Sequence, residues 1–452
     1  MPNLPLALTA ICAVGLSIAA CTQTPKLSAV QTCQTAVYRL TDGQVLDIAP
    51  SSSGNLRWRL DSGRTGLLAA NDNWSSTLGW TGQPDGVSVR LPLCGGTEIG
   101  FTDKGAGPLT GQRIALIARE SHFQSGAVTL HGKLVMPVGA EPVPVVVDVH
   151  GSEKDAATIF DFDQRMSPAR GVRSFVYDKR GTGQSTGKYT QDFATLAGDA
   201  AAAVAEARRL AGPRLGRIGL AGGSQGGWVA PLASTLTPVD FLIVGYGLAG
   251  SPGEENTDQT VLELKRKAYG PADLAAAAEV AEAANGVLGA HFRGGFERLD
   301  AVKARYSGRP WFKEIGGQFT GQLVKYPSWM LRLVGPFVDV GTPADYDAVS
   351  VLKRVKTPTL WVLADDDTLA PNLTTRMRLA TLIANGAPIT VVAFPRTDHG
   401  IMEFITTSSG ERRNTRYSQG YLRTTVDWAR TGRLELPYGA SVIISQPGTP
   451  ER

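Results

Sequence analysis

The sequence predicts an α/β fold with a mostly parallel sheet and helices on both of its faces, preceded by a small β-rich domain. Three observations predict it. Short apolar and polar alternations fill the first part of the chain, strands and helices alternate after residue 112, and roughly 110 residues separate two strands of the second part. We therefore expect a β-rich domain over residues 28–118 and an α/β domain over 125–440, with an insertion at about 250–347.

The β-rich domain is predicted from segments in which apolar and polar residues alternate, such as 36–40 (AVYRL), 56–60 (LRWRL) and 87–91 (VSVRL). Turn pairs such as Asp42-Gly43 and Asp85-Gly86 separate them. This pattern is typical of antiparallel strands joined by tight turns. We expect a small barrel or sandwich that carries none of the candidate catalytic residues.

The parallel sheet is predicted from short apolar runs that alternate with helical stretches, because buried parallel strands are apolar on both faces. The helix that supports this alternation most clearly is the Ala-rich stretch from about 193 to 211. The predicted strands are residues 143–149, 171–177, 217–221, 241–245, 359–363 and 389–394.

The insertion between residues 245 and 359 is far longer than a strand-to-helix connection requires. Its periodic stretches, 258–267 and 272–288, predict helices. Nine aromatic residues follow between 292 and 337, and we expect most of them to pack the core of the insertion itself. The sequence thus predicts a helical cap over the sheet.

The chain starts with an apolar run over residues 4–20 that holds no charge and ends at Cys21, a pattern typical of a secretory signal. Residues 18–21 (IAAC) resemble the lipobox of bacterial lipoproteins, which implies lipidation of Cys21 and removal of residues 1–20. Residues 1–20 hold no Lys or Arg, which departs from that pattern. The alternative is an uncleaved membrane anchor. Both interpretations place the rest of the chain outside the cytoplasm, in the bacterial periplasm or anchored to a membrane.

Four cysteines fit an exported protein. Cys12 would leave with the signal and Cys21 would be lipidated, so Cys33 and Cys94 remain as a pair. We expect them to form a disulfide, which an oxidising compartment permits.

Composition and charge favour a globular protein that acts on a small molecule or a peptide. The chain is 42% hydrophobic, and its formal net charge is only +4. No stripe of Lys and Arg alternates with aromatic residues, which argues against a nucleic-acid partner. No group of residues at metal-ligand spacing predicts a metal or another cofactor.

Ser224 is the candidate nucleophile. It lies in Gly222-Gly223-Ser224-Gln225-Gly226, which matches the spacing GxSxG between a predicted strand and a predicted helix. A serine hydroxyl is a weak nucleophile unless a base removes its proton and donors stabilise the oxyanion. In this context the motif predicts a sharp turn that exposes the hydroxyl.

His399 is the candidate base. Proteins with such an elbow place the acid and then the histidine after the serine in the chain. The chain has five histidines, and only His399 follows both Ser224 and the candidate acids; it lies after the strand 389–394.

The acid follows the strand 359–363, where Asp365, Asp366 and Asp367 are adjacent. Spacing alone does not show which of the three is the catalytic acid. Without His or Glu at ligand spacing, three adjacent Asp residues do not predict a metal site.

The oxyanion hole is predicted after the strand 143–149, at His150-Gly151-Ser152. We expect the backbone amides of Ser152 and Gln225 to converge on the oxyanion, each contributing roughly 3 kcal/mol of transition-state stabilisation if aligned.

From about residue 143 to 407 the chain resembles the α/β-hydrolase superfamily. Residues 177–185 (YDKRGTGQS) are similar to a segment of its bacterial esterase and serine-aminopeptidase-like branch. In that branch the acid lies four residues before a proline, in the pattern GxxDxxxP. The resemblance therefore implies Asp367, four residues before Pro371, although Ala364 stands where the family has Gly.

The predicted reaction is hydrolysis of a carboxylic ester through an acyl-enzyme on Ser224, because a serine nucleophile fits acyl transfer. The first alternative is an exopeptidase, in which Glu254 and Glu255 hold the α-ammonium of a peptide. Both could instead be ordinary acidic residues in the first turn of a helix. The second alternative is a binding module without catalysis, against which the complete Ser, Asp and His set argues.

Overall fold

The structure is a computed structural model that describes residues 28–51, 53–69, 74–139 and 141–447. The predicted signal, residues 1–20, and the predicted lipidation site, Cys21, lie outside the described residues. Within these ranges no helix is both long and apolar enough to cross a membrane.

The N-terminal domain is a closed barrel of antiparallel strands, in which β1 pairs with both β2 and β8. The inward residues are apolar and include the fully buried Trp58, Tyr38 and Ile48. This confirms the predicted β-rich domain. Its strands are β1 (Ala36–Leu40), β2 (Val45–Pro50), β3 (Leu56–Leu60), β4 (Thr65–Ala69), β5 (Trp74–Thr77), β6 (Pro84–Arg90), β7 (Glu98–Asp103) and β8 (Gly107–Arg113).

The predicted disulfide between Cys33 and Cys94 is present, with 5.5 Å between the Cα atoms. It joins a helix that precedes the barrel, Ala29–Gln34, to the loop between β6 and β7. Because the two cysteines are 61 residues apart, the bond restricts the unfolded chain. Such a restriction stabilises a fold by about 4 kcal/mol.

The second domain is built on a nine-stranded sheet in the order β20-β16-β15-β14-β13-β11-β12-β10-β9. The six strands from β11 to β16 are parallel, and β9, β10 and β20 run antiparallel at the two edges. This confirms the mostly parallel sheet. Its strands are β9 (Leu116–Ser125), β10 (Val128–Pro137), β11 (Val143–Val149), β12 (Arg173–Tyr177), β13 (Leu215–Gly223), β14 (Phe241–Gly245), β15 (Thr359–Ala364), β16 (Ile389–Phe394) and β20 (Val442–Ser445).

Helices cover both faces of this sheet. Helices Phe193–Ala211 and Gly226–Ser234 pack on the face that carries Val145, whereas Tyr421–Thr431 packs on the face of Val146. The other helices of the second domain outside the insertion are Ala157–Phe160, Asp163–Met166, Ala348–Leu352 and Leu373–Ala384, with short 3₁₀ turns at Pro168–Arg170 and Gly212–Arg214.

The insertion between β14 and β15 is helical, as predicted. Most of its aromatic residues join a core of its own, around the fully buried Trp311 and Phe296. Trp329 and Phe337 do not join it and are exposed. Its helices are Pro252–Arg266, Pro271–Gly289, Phe296–Tyr306, Thr320–Lys325 and Ser328–Val338, with a 3₁₀ turn at Pro310–Glu314.

A small third sheet, made of β17 (Thr397–Asp398), β18 (Met402–Thr406) and β19 (Arg412–Tyr417), connects the two domains. The Trp80 amide donates to the Asn414 carbonyl at 2.8 Å, and the Tyr417 amide donates to the Gly63 carbonyl at 3.0 Å. The rings of Trp80 and Tyr417 also meet edge to face. The barrel therefore holds the hairpin that begins next to His399.

Candidate active site

Ser224 lies on a sharp turn between β13 and the helix Gly226–Ser234. Its φ angle is +52°, a left-handed conformation that is strained for any residue with a Cβ atom. A Cβ atom at Gly222 would overlap the carbonyl of Gly226, and one at Gly226 would overlap the carbonyl of Val149. The two glycines are thus required by close backbone approach, and the turn presents the Ser224 side chain at the end of the sheet.

Asp367 and His399 form a hydrogen-bonded pair. His399 Nδ1 lies 2.9 Å from Asp367 Oδ2 and 3.2 Å from Oδ1. The Asp367 side chain is 1% exposed and that of His399 is 19% exposed. Asp367 Oδ1 also accepts hydrogen bonds from the amides of Leu369 and Ala370, which fix the carboxylate. Since Nδ1 faces the carboxylate, Nε2 is the imidazole nitrogen that remains without a partner among the described residues.

Ser224 and His399 line the same cavity, which has a volume of about 660 Å³. Gly151, Ser152 and Glu255 line it as well. The structure therefore brings the predicted nucleophile, base and oxyanion loop to one cavity at the carboxyl ends of the central strands. Among the residues that the structure describes, no group of three or more His, Cys, Asp or Glu side chains is placed to hold a metal ion.

The other two aspartates of the predicted acid cluster face elsewhere. Asp365 pairs with the guanidinium of Arg376, and the Asp366 side chain is exposed. Of the three, Asp367 is the one in contact with His399.

The environment of His399 raises its pKa. Burial alone would lower this pKa, but the hydrogen bond and the charge of Asp367, together with the charges of Glu255 and Asp398, raise it above the ordinary value of 6.5. The ring of Tyr246 packs edge-on against the imidazole, with 4.8 Å between the centroids. His399 is thus held both by charge and by packing.

Asp398 connects the loop of the acid with the loop of the base. Its Oδ1 accepts hydrogen bonds from the amides of Thr368 at 2.8 Å and of His399 at 2.9 Å. Its Oδ2 accepts one from Arg412 Nη1 at 3.0 Å. Burial would raise the pKa of Asp398, but these amides and the guanidinium lower it. This role could not be predicted from the sequence, because Asp398 differs from other loop aspartates only through its partners in the fold.

We expect Asp398→Asn to reduce kcat/KM by about 10- to 100-fold, because a displacement of the base by about 1 Å has an effect of this size. The substitution also removes a negative charge that raises the pKa of His399, so the acid limb of the pH profile should move to lower pH. Steady-state kinetics across pH with a p-nitrophenyl ester measure both effects. Asp366→Asn is the matched control. If Asp398→Asn lowers Tm but leaves the acid limb where it is, the role of Asp398 is only structural.

The two predicted oxyanion donors have no hydrogen-bond acceptor of their own. Within the described residues, neither the Ser152 amide nor the Gln225 amide donates a hydrogen bond to another group, and Ser152 lines the cavity. A Cβ atom at Gly151 would lie 3.6 Å from Ser224 Cβ, which places the oxyanion loop beside the nucleophile. An oxyanion hole requires donors without other partners, and both amides meet this condition.

Two residues that were not predicted from the sequence hold the oxyanion loop, residues 150–152, in place through hydrogen bonds. Lys179 Nζ donates to the Gly151 carbonyl at 2.7 Å, and the Tyr189 hydroxyl donates to the Ser152 carbonyl at 2.6 Å. The Lys179 ammonium also lies 5.2 Å from the Tyr189 ring centroid, and burial lowers its pKa to about 8. The family-like segment 177–185 could have indicated this role for Lys179, because it contains that residue.

The carboxylates of Glu254 and Glu255 have different surroundings in the structure. Glu254 makes a bidentate ion pair with Arg378, at 2.6 and 2.8 Å, and caps its own helix through Ser251. Glu255 instead lines the cavity, and its carboxylate has no hydrogen-bond or ion-pair partner within the described ranges. The exopeptidase alternative, in which both carboxylates hold an α-ammonium, therefore retains only Glu255, because Arg378 neutralises Glu254.

Several solved structures are similar to the chain. One is an acylaminoacyl peptidase from Pyrococcus horikoshii, with 15% identity and a TM-score of 0.43, covering 89% of this chain and 57% of that one. The chain thus spans little more than half of that peptidase. Another is Est1E from Butyrivibrio proteoclasticus with bound ferulic acid, at 16% identity and a TM-score of 0.38, covering 68% of this chain and 96% of that one. A third is a proline iminopeptidase from Mycobacterium smegmatis, at 17% identity and a TM-score of 0.38, covering 63% and 92%.

No curated protein sequence matches the chain. Residues 128–409 match the model of the alpha/beta hydrolase family, which is more than half of the chain. That range contains Ser224, Asp367 and His399 as well as the whole helical insertion. The chain belongs to the alpha/beta hydrolase family.

Proposed function

We propose that the protein is a serine hydrolase that cleaves carboxylic esters through an acyl-enzyme on Ser224. The observation that carries the proposal is the placement of Ser224, on a strained turn, in one cavity with a histidine whose Nδ1 is held by a buried aspartate. This is the arrangement that serine acyl transfer requires.

In the proposed reaction the Ser224 oxygen attacks the ester carbonyl while His399 Nε2 takes its proton. The amides of Ser152 and Gln225 donate hydrogen bonds to the resulting oxyanion. The C–O bond to the alcohol then breaks, and the alcohol leaves with the proton from His399. Water, deprotonated by the same imidazole, attacks the acyl-enzyme and releases the acid and free Ser224.

A panel of substrates tests the preference for esters. We expect turnover of short acyl p-nitrophenyl esters and much slower turnover of aminoacyl naphthylamides. Amide turnover that Glu255→Ala abolishes would overturn the esterase proposal and favour an exopeptidase.

A second candidate, an exopeptidase or an aminoacyl hydrolase, is favoured by one observation, the unpaired carboxylate of Glu255 in the cavity. Burial raises the pKa of Glu255 to about 7. An ammonium group on a substrate would favour the ionised carboxylate and pair with it. Ester hydrolysis remains the preferred function. The predicted exopeptidase would hold the α-ammonium of its substrate with two carboxylates, and within the described residues only that of Glu255 is unpaired.

We expect Glu255→Gln to move the acid limb of kcat/KM to lower pH. His399 acts as a base only when neutral, so activity falls as pH drops through its pKa, which lies above 6.5. The charge of Glu255 helps to raise that pKa, so its removal lowers it. Each group's charge shifts the pKa of the other, so the limb in the wild type belongs to the pair.

The matched control for this substitution is Glu254→Gln, because Glu254 pairs with Arg378 and does not influence the pKa of His399. With aminoacyl substrates, Glu255→Gln should also raise KM by about 10- to 100-fold if the carboxylate holds an ammonium group. An acid limb that moves equally in both variants would contradict this assignment of Glu255.

We also propose that the protein is exported and attached to a membrane by a lipid on Cys21. The support is the apolar run over residues 4–20 and the lipobox-like IAAC sequence. Mass spectrometry of the mature N-terminus tests this proposal, with a diacylglyceryl-modified Cys21 as the expected product. An unmodified Cys21, or an intact run of residues 1–20, would contradict it.

A further inference from the structure

The cap helix Ser328–Val338 carries an apolar face that nothing within the described residues covers. Trp329, Leu333 and Phe337 are 64%, 59% and 87% exposed. They are spaced four residues apart, so they lie on one side of the helix. A soluble surface rarely exposes Trp, Leu and Phe together without a partner.

The opposite side of the same helix anchors it to the cap. Leu331 and Val334 are buried in the cap, and a Cβ atom at Gly335 would overlap the ring of Phe292. The helix is therefore a fixed element with one packed side and one exposed apolar side.

The segment that carries the exposed side is basic. Residues 320–338 contain Lys325 and Arg332 and no Asp or Glu. Arg332 is exposed and directly precedes Leu333 on the helix, and its guanidinium lies 4.4 Å from the Phe296 ring centroid. Two acidic residues, Asp300 and Asp339, contact the helix or its end, and each has a partner. Asp300 accepts a hydrogen bond from Ser328, and Asp339 pairs with His291.

We propose that this helix face, defined by Trp329, Leu333 and Phe337, docks on an anionic lipid surface. Trp, Leu and Phe on one side with basic residues beside them are the features of a helix that lies in the interface of a bilayer. A second copy of the chain fits less well, because a two-fold contact through this helix would bring Lys325 and Arg332 near their own copies. The proposal rests on the proposed membrane attachment, which would keep the chain next to such a surface.

Hydroxyl-radical footprinting of the full chain tests the docking, because it reports the exposure of individual side chains and does not depend on the N-terminal anchor or on activity. The protein is labelled alone, with vesicles of phosphatidylcholine, and with vesicles of phosphatidylglycerol and phosphatidylcholine in equal parts. On the anionic vesicles we expect oxidation of Trp329, Leu333 and Phe337 to fall by at least about threefold, since docking buries these side chains. Leu373 and Met377, which are exposed on another helix, serve as internal controls and should not change.

A variant that replaces all three apolar residues by serine should bind the anionic vesicles more weakly in sedimentation than the parent chain, when both carry Cys21→Ser so that no lipid attaches them. Its Tm should be unchanged, because the three side chains are exposed. Unchanged oxidation of the three side chains on anionic vesicles would overturn the proposal. Protection that increases with protein concentration in the absence of vesicles would overturn it as well, in favour of a second copy. Ser224→Ala should show the same protection as the wild type, so failure of the hydrolase proposal and failure of the docking are distinguishable.

Discussion

Ser224→Ala is expected to lower kcat for p-nitrophenyl esters on the order of 10⁴- to 10⁶-fold, because in the proposed reaction the Ser224 oxygen forms the acyl-enzyme. Labelling by a fluorophosphonate probe, which reacts with an activated serine, should disappear with it. Residual hydrolysis should come from the oxyanion amides and from substrate binding, which the substitution leaves in place.

Two matched variants separate this loss from a loss of structure. Ser152→Ala should change kcat by less than about twofold, because only the backbone amide of Ser152 is used. Ser224→Gly should be as inactive as Ser224→Ala but more stable by about 1 kcal/mol, since glycine relieves the strain of φ +52°. A wild-type protein that the probe does not label would contradict the enzyme proposal and favour a binding module.

The sequence predicted the sharp turn at Ser224 and the sheet well because both depend on local patterns. The spacing of Gly222 and Gly226 around Ser224 has one physical cause, the close approach of backbone on both sides of the turn. The parallel strands are apolar on both faces, so short apolar runs locate them. The strand bounds from β11 to β16 accordingly differ from the expectation by only a few residues.

The parts of the site that the sequence did not predict depend on partners that are distant in the chain. Asp398 is defined by Thr368 and Arg412, and Glu254 is neutralised by Arg378, 124 residues away. The contact between the barrel and the hairpin next to His399 joins residues more than 330 positions apart, as in the hydrogen bond from Arg413 to the Thr81 carbonyl. Local propensity and spacing carry no information about such pairs.

The choice among Asp365, Asp366 and Asp367 came from family resemblance, and Asp367→Asn is the substitution that tests it. We expect kcat to fall on the order of 10⁴-fold with little change in the fold. The amides of Leu369 and Ala370 donate to Oδ1 of residue 367, so the carboxamide oxygen of an asparagine should stay there. Its NH₂ group would then face His399 Nδ1.

This orientation makes the loss specific to Asp367. An NH₂ group opposite Nδ1 requires Nδ1 to accept, which moves the imidazole proton to Nε2 and prevents His399 from taking the proton of Ser224. The charge of Asp367 raises the pKa of His399, so the acid limb of any remaining activity should move to lower pH. Asp365→Asn removes only the ion pair with Arg376, and Asp366→Asn alters an exposed side chain, so each should retain most activity. A larger loss at Asp365 than at Asp367, measured with the same ester, would overturn the assignment.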